Sequence, residues 1–375
     1  MAPEIRDARL RALLVGVDTG ASELWSFDDT FDELRRLALT ADLQIAGRLS
    51  QKLPAPHNVT YLGKGKTEEL RQLVSALEAE VVLFDDELTP RQETALTRLL
   101  PDSVMVVDRT ALILSIFADH ATSREGKLQV ELAQLEYELP RLRGKWSHLT
   151  REKLGGASGA RFGAGESQLE SDRRLIRRRI ALLRKKIEAI GRERRTQRQR
   201  RSSSAVFRIV LVGYTNAGKS TLLNRLSSAE VLAYDKLFAT LDATTRRIGF
   251  EGGRQATLTD TVGFIHKLPH TLVASFRSTL DEVREADLLL HVVDAASPVM
   301  RAQIAAVQEV LVELGAEGKP QLLVLNKGDE IAIGEAEALK ERWPGSLVIS
   351  ALRGEGIDEL RRRLSVLSER SAGPR

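Results

Sequence analysis

The chain has 375 residues, 42% of them hydrophobic and 29% charged, which is enough for two or three domains with separate cores. It contains no cysteine, which excludes disulfides and thiolate metal sites and suits a reducing cytoplasm. The six histidines lack ligand spacing and read as surface or core residues, no apolar run reaches the ~18 residues that cross a bilayer, and no signal-peptide core follows the N-terminal charges; a cytoplasmic protein without a membrane span is expected. The net charge of +4 conceals an asymmetry, because residues 172–201 hold fourteen Arg/Lys against three Asp/Glu, a local charge of +11 that leaves about −7 for the rest.

Residues 1–122 read as a small α/β domain. The runs "RALLVGVD", "VVLFDD" and "SVMVVD" are short, apolar and end in Asp, as strands of a buried parallel sheet do. Helical patterns lie between them at residues 28–41, 66–80 and 89–100, the last opened by Thr89 as N-cap and Pro90 at the first helical position. The stretch "YLGKGKTEEL" places two glycines and two lysines before a helix, as a plain turn or as a weak anion site.

Residues 123–200 read as an antiparallel helical hairpin. Leu128, Leu132, Leu135, Leu139 and Leu142 form one coiled-coil seam, and Ile176, Ile180, Leu183, Ile187 and Ile190 form another. Pro140 should end or kink the first helix. Between the seams, residues 144–167 hold six glycines and no periodicity, a long tip carrying Trp146, His148, Arg151, Lys153, Arg161 and Phe162. Charge of nearly one sign makes i,i+4 ion pairs mostly unavailable to the second helix and favours contact with phosphates, while aromatic and Arg side chains at the tip can stack on unpaired bases. Nucleic-acid contact is expected, against the plainer reading of a solvated hairpin.

Residues 201–370 form the third segment, followed by a tail at 371–375. "FRIVLVGYTNAGKSTLLNRL" is a strand, a G-x-x-x-x-G-K-S loop and a helix. Backbone N–H groups of Gly213, Tyr214, Thr215, Asn216, Ala217 and Gly218 can close around phosphate oxygens, with Thr221 following in the helix. Lys219 adds a charge at the β- and γ-phosphates, and the Ser220 hydroxyl can ligate Mg²⁺. Asp260 ends a strand-like run and can hold the metal through water, and the N–H of Gly263 can meet the γ-phosphate. In "LLVLNKGD", Asn326, Lys327 and Asp329 end another strand, and the Asp329 carboxylate matches the paired N–H donors of guanine, which adenine lacks. Ser350, Ala351 and Leu352 follow the last strand, where a backbone N–H can reach guanine O6. These elements predict GTP as substrate, GDP as product, and a P-loop domain with a mostly parallel sheet. After Asp260-Thr261-Val262-Gly263, where Ras-like enzymes place a water-orienting Gln, stands Phe264.

"REGKLQVELAQLEYELPRL", "GESQLESDRR", "LFATLDATTR" and "DTVGFIHKLPHTLVASFRSTL", with the phosphate loop and "YLGKGKTEEL", resemble the HflX family of ribosome-associated GTPases over nearly the whole chain. The resemblance implies binding to the large ribosomal subunit and its RNA, and ribosome splitting in some members. It also implies slow hydrolysis unaided, because an apolar residue follows D-x-x-G. Many relatives carry a further C-terminal domain, so a short form is expected. Of Thr240, Thr244 and Thr245, the first is favoured as the switch residue that ligates Mg²⁺, because its Phe-x-Thr-Leu setting resembles Obg-related GTPases. Asn216 resembles the Asn that helps related GTPases hold K⁺. Catalytic roles are expected for Lys219, Thr240 and Gly263, in a monomer. The other readings are an RNA-binding scaffold with structural GTP, and a GTPase of ribosome assembly or tRNA metabolism.

Overall fold

The computed structural model describes residues 9–20, 24–142, 162–201, 206–227, 237–238, 242–250, 253–269, 272 and 277–371. The chain divides into two compact units, Met1–Asp119 with Val130–Lys185, and His120–Gln129 with Lys186–Arg375. The middle segment of the sequence is therefore shared between the two.

The first unit alternates β1 (Arg11–Asp18), α1 (Phe27–Thr40), β2 (Gln44–Lys52), α2 (Lys64–Ala76), β3 (Val81–Phe84), α3 (Pro90–Leu99), β4 (Met105–Asp108) and α4 (Arg109–His120). Its four strands are parallel in the order β2-β1-β3-β4. Leu13, Val15, Val82 and Phe84 from the central strands pack with Leu70 and Leu96 from the helices. Capping boxes start two of those helices, Ser26 with Asp29 on α1 and Thr89 with Gln92 on α3. The glycine–lysine stretch is the entry to α2, with Gly63 as N-cap and its N–H donated to Gln51 Oε1 at 2.9 Å. Strand β2 escapes an apolar-run reading because it is an edge strand, with Leu49 as its one buried residue. Arg109, 1% exposed, is held by Glu33 and, at 2.9 Å, by Asp85.

Helix α5 (Arg124–Glu138) gives way to a 3-10 turn at Leu139–Arg141, where Pro140 removes a backbone donor. Helix α6 (Phe162–Arg201) follows and is about 60 Å long at 1.5 Å per residue. It takes in the last residues of the glycine-rich stretch; the rest of the tip, residues 143–161, lies outside the described residues. Ile180 and Leu183 of the second seam are buried, as is Leu132 of the first. Arg179 pairs with Glu131 at 2.6 Å and Arg184 with Glu136 at 2.7 Å. Arg141 is buried after the 3-10 turn, donating to Leu88 O at 2.6 Å and Tyr137 O at 2.8 Å and facing Glu93 at 3.0 Å and Glu87 at 3.2 Å.

The second unit adds β5 (Phe207–Gly213), α7 (Lys219–Ser227), β6 (Thr244–Gly249), β7 (Gln255–Asp260), α8 (Arg277–Glu285), β8 (Leu288–Asp294), α9 (Met300–Glu313), β9 (Gln321–Asn326), α10 (Glu335–Arg342), β10 (Leu347–Val348) and α11 (Ile357–Ser371). The sheet order is β10-β9-β8-β5-β7-β6, and only the β6–β7 pair is antiparallel. Ile209, Leu211, Leu258, Leu290 and Val324 line its core with Leu222 of α7 and Leu360 of α11. Strand order reverses around β5, which lies between β8 and β7. A crevice beyond the carboxyl ends of the strands is where an open α/β sheet takes its ligand.

Candidate nucleotide site

The phosphate loop leaves β5 at Gly213 and enters α7 at Lys219. A Cβ at Gly213 would collide with Val292 O, and one at Gly218, which has φ of +88°, with the Asn326 side chain; only glycine fits either place. Lys219 is buried and donates to Gly213 O at 3.2 Å and Tyr214 O at 2.8 Å. Burial pushes its ammonium down to about 8, against the pull of the Asp260 carboxylate. The Thr215 hydroxyl is buried with no hydrogen-bond partner among the described residues.

The segment after D-x-x-G is tied to this loop by its backbone. Thr215 N donates to Phe264 O at 2.7 Å, and Phe264 N donates to Gly213 O at 3.1 Å. Phe264 is 1% exposed, so its ring is buried. Tyr214 Oη accepts from His266 N at 2.6 Å. A side chain at Gly263 would lie 2.9 Å from Thr215 Cα and 3.0 Å from Lys219 Nζ, so the glycine turn and the lysine head adjoin. Asp260, 1% exposed, accepts from Ser220 Oγ at 2.6 Å. Thr244 stands opposite Asp260 in the β6–β7 register, and Thr245 shares a 2.9 Å hydrogen bond with Thr259. Thr240 lies outside the described residues.

The other half of the site is built on β9 and the loop after β10. Asn326 Nδ2 donates to Ala217 O at 2.9 Å, and its Oδ1 accepts from Ala351 N at 2.9 Å. Lys327, with φ of +63°, pairs with Asp294 at 2.6 Å. Asp329 faces Arg353 at 3.3 Å. A hydrogen bond from Ser350, helped by Arg353 and Lys327, holds its carboxyl below the usual carboxylate range despite some burial. Leu352 is exposed at the rim. Sequence reasoning missed two supports. Arg225 of α7 donates to Ala351 O at 3.0 Å and also to Leu352 O, and no local spacing signals it. Asp294, the partner of Lys327, ends the apolar run "LLLHVVD" and was findable as another strand ending in Asp. His291, in the same run, is a core residue at 2% exposure.

A phosphate loop, a buried strand-end carboxylate bonded to its serine, and an Asn-Lys-x-Asp strand end locked to the loop define a P-loop GTPase. Residues 208–327 match the family described as "50S ribosome-binding GTPase", 28–118 match "GTP-binding GTPase N-terminal", and 120–201 match "GTP-binding GTPase Middle Region". The protein called GTPase HflX from Caldanaerobacter subterraneus subsp. tengcongensis is 47% identical over 357 residues, covering 95% of this chain and 80% of that one. GTPase HflX from Escherichia coli K12 is 46% identical over 347 residues, covering 92% and 80%. Among solved structures, the complex of SsGBP with GDP matches with a TM-score of 0.52 and 27% identity, over 97% of this chain and all of that one. The chain belongs to the HflX family of GTPases and hydrolyses GTP.

Burial, with the nearby Lys219 charge, pushes the His291 imidazole down to about 4, and its Nε2 has no partner among the described residues. Between about pH 4 and 6.5 the unfolded chain binds a proton that the folded protein does not, so stability falls as pH is lowered through that window and levels off above it. Denaturant unfolding at pH 7 and pH 5 should therefore show His291→Gln losing about 2 kcal/mol less than the wild type on acidification. Identical losses would exclude this assignment.

Proposed function

We propose that this GTPase is a cytoplasmic, monomeric switch that docks on the large ribosomal subunit and is completed catalytically by it, acting in ribosome splitting, rescue or recycling. Phe264 carries the reading. Its ring is buried and its backbone is engaged by the phosphate loop, so the position after D-x-x-G offers nothing to orient a water. Positioning and electrostatic stabilisation supplied by a partner would then set the rate. The description "50S ribosome-binding GTPase" for the family matching residues 208–327 supports a ribosomal partner.

Helix α6 supports an RNA-facing surface. Arg174, Arg178 and Lys185 recur at i, i+4 and i+11, on the face opposite Ile176, Ile180 and Leu183, and all three are exposed. Among the described residues none of the three forms an ion pair. Such a stripe gains by neutralising several phosphates at once.

In this reading Lys219 neutralises the β- and γ-phosphates, and the loop N–H groups from Tyr214 to Gly218 cradle them with the Gly263 N–H. Asp329 reads the guanine edge beside Ser350 and Leu352. The buried Asp260 carboxylate and the Ser220 hydroxyl it accepts from are hard oxygen donors of the kind Mg²⁺ takes, and Thr240 would add a second hydroxyl. When bound there, Mg²⁺ supplies charge neutralisation at the transferring phosphate. Asn216, exposed on the loop with φ of +60°, offers an amide oxygen suited to K⁺.

Multiple-turnover hydrolysis measured with and without purified large subunits should show ten- to a thousandfold stimulation, or about 1.4–4 kcal/mol off the barrier. Fast turnover by the isolated chain, indifferent to ribosomes, would refute the proposal. Asp329→Asn replaces one acceptor with a donor, so it should weaken GDP binding about a thousandfold or more and favour xanthosine diphosphate, whose C2 carbonyl accepts that donor. Titration calorimetry with both nucleotides tests this, and unchanged guanine preference would remove Asp329 from base recognition.

A further inference from the structure

Asp242 lies in the segment between α7 and β6, and its carboxylate is occupied by residues about 120 positions earlier. It accepts from Thr122 N at 3.1 Å, Thr122 Oγ1 at 2.7 Å, Ser123 N at 2.7 Å and Ser123 Oγ. Ser123 Oγ accepts from Gly126 N at 2.9 Å, and Ser123 O accepts from Lys127 N at 3.0 Å, which makes Ser123 the N-cap of α5. One carboxylate thus fixes both the cap residue and the residue before it. Burial alone would raise the Asp242 carboxyl, but the hydrogen bonds from Ser123 and Thr122 outweigh it and hold the group below its ordinary range. The fit leaves no slack: a Cβ at Gly126 would collide with Asp242 Oδ1. Glycine in a helix's first turn lowers helix stability, so its presence matches the need to admit this carboxylate.

The same short segment adjoins the candidate phosphate site. Two residues after Asp242, Thr244 stands opposite Asp260, which bonds Ser220 of the phosphate loop. A GTPase orders this segment around the γ-phosphate and releases it on hydrolysis. A carboxylate fixed to both the segment and a helix start can couple the order of one to the other.

We propose that Asp242 is a latch through which the nucleotide state controls the N-terminal cap of α5, closed with GTP and loosened with GDP. The latch rests on the GTPase assignment alone and is independent of ribosome binding. It adds an intramolecular output for hydrolysis: the helix that begins the middle segment is capped only while the switch segment is ordered.

Hydrogen exchange of the full chain, saturated with a non-hydrolysable GTP analogue or with GDP, reads this directly. Peptides covering residues 120–130 should exchange roughly five- to thirtyfold more slowly with the analogue, the range expected for gain of a helix cap. Asp242→Asn weakens the acceptor and should abolish most of that difference. Gly126→Ala is the independent arm. It expels the carboxylate while improving helix propensity, so the nucleotide dependence should vanish although the helix itself is strengthened. A static staple would show equal exchange in both nucleotide states of the wild type, and that result overturns the latch. So does a nucleotide dependence that survives in both variants.

Discussion

Asn326 donates its side-chain amide to Ala217 O and accepts from Ala351 N, and so joins three loops that are distant in sequence. The residue is 3% exposed, and a buried amide without its partners would leave unsatisfied groups costing about 1–3 kcal/mol each. The bond to Ala217 also explains the loop glycine at 218, because the amide lies where any Cβ would project. The base-reading strand end and the phosphate loop are thereby set in one geometry by one side chain. Arg225 braces the third loop from α7, and Asp294 holds Lys327 in its left-handed turn. A nucleotide then meets a frame whose two ends are already aligned, which lowers the ordering cost of binding.

The switch side of the site is built differently. Gly213 and Thr215 are bonded to the backbone of Phe264, while its buried ring is apolar. Rigidity there holds the loop, but it contributes no polar side chain at the position after D-x-x-G. In the proposed function the work is then divided: binding and guanine selection would belong to the frame around Asn326, and acceleration would come from groups outside the chain. Asp242, two residues before β6, connects that side of the site to the start of α5, through a carboxylate that accepts from Thr122 and Ser123.

What could be read from sequence followed from local physics. Gly213, Gly218, Lys219 and Ser220 are legible because a phosphate cradle needs those residues at that spacing. Strands β1, β3, β8 and β9 are legible because buried parallel strands are apolar throughout, and the edge strand β4 because its short run is apolar and ends in Asp108. Thr89 with Pro90 announced α3, and Pro140 announced the end of α5. The failures share a cause. Strand β2 gains its place by pairing along β1 and carries no apolar run of its own. Arg225, Arg141 and Asp242 act on partners 48 to 127 residues away, and such pairings leave no local periodicity. Phe264 was legible as a departure from the water-orienting pattern, but its burial required coordinates.

The account depends on Asn326 aligning the two halves of the site before nucleotide arrives. Calorimetric titration of GDP into Asn326→Ala, with far-UV circular dichroism confirming an intact fold, tests this most directly. Loss of both buried bonds should weaken binding by at least about thirtyfold. Affinity within about threefold of the wild type, a difference of roughly 0.7 kcal/mol, would contradict the claim that this one amide sets the geometry of the site.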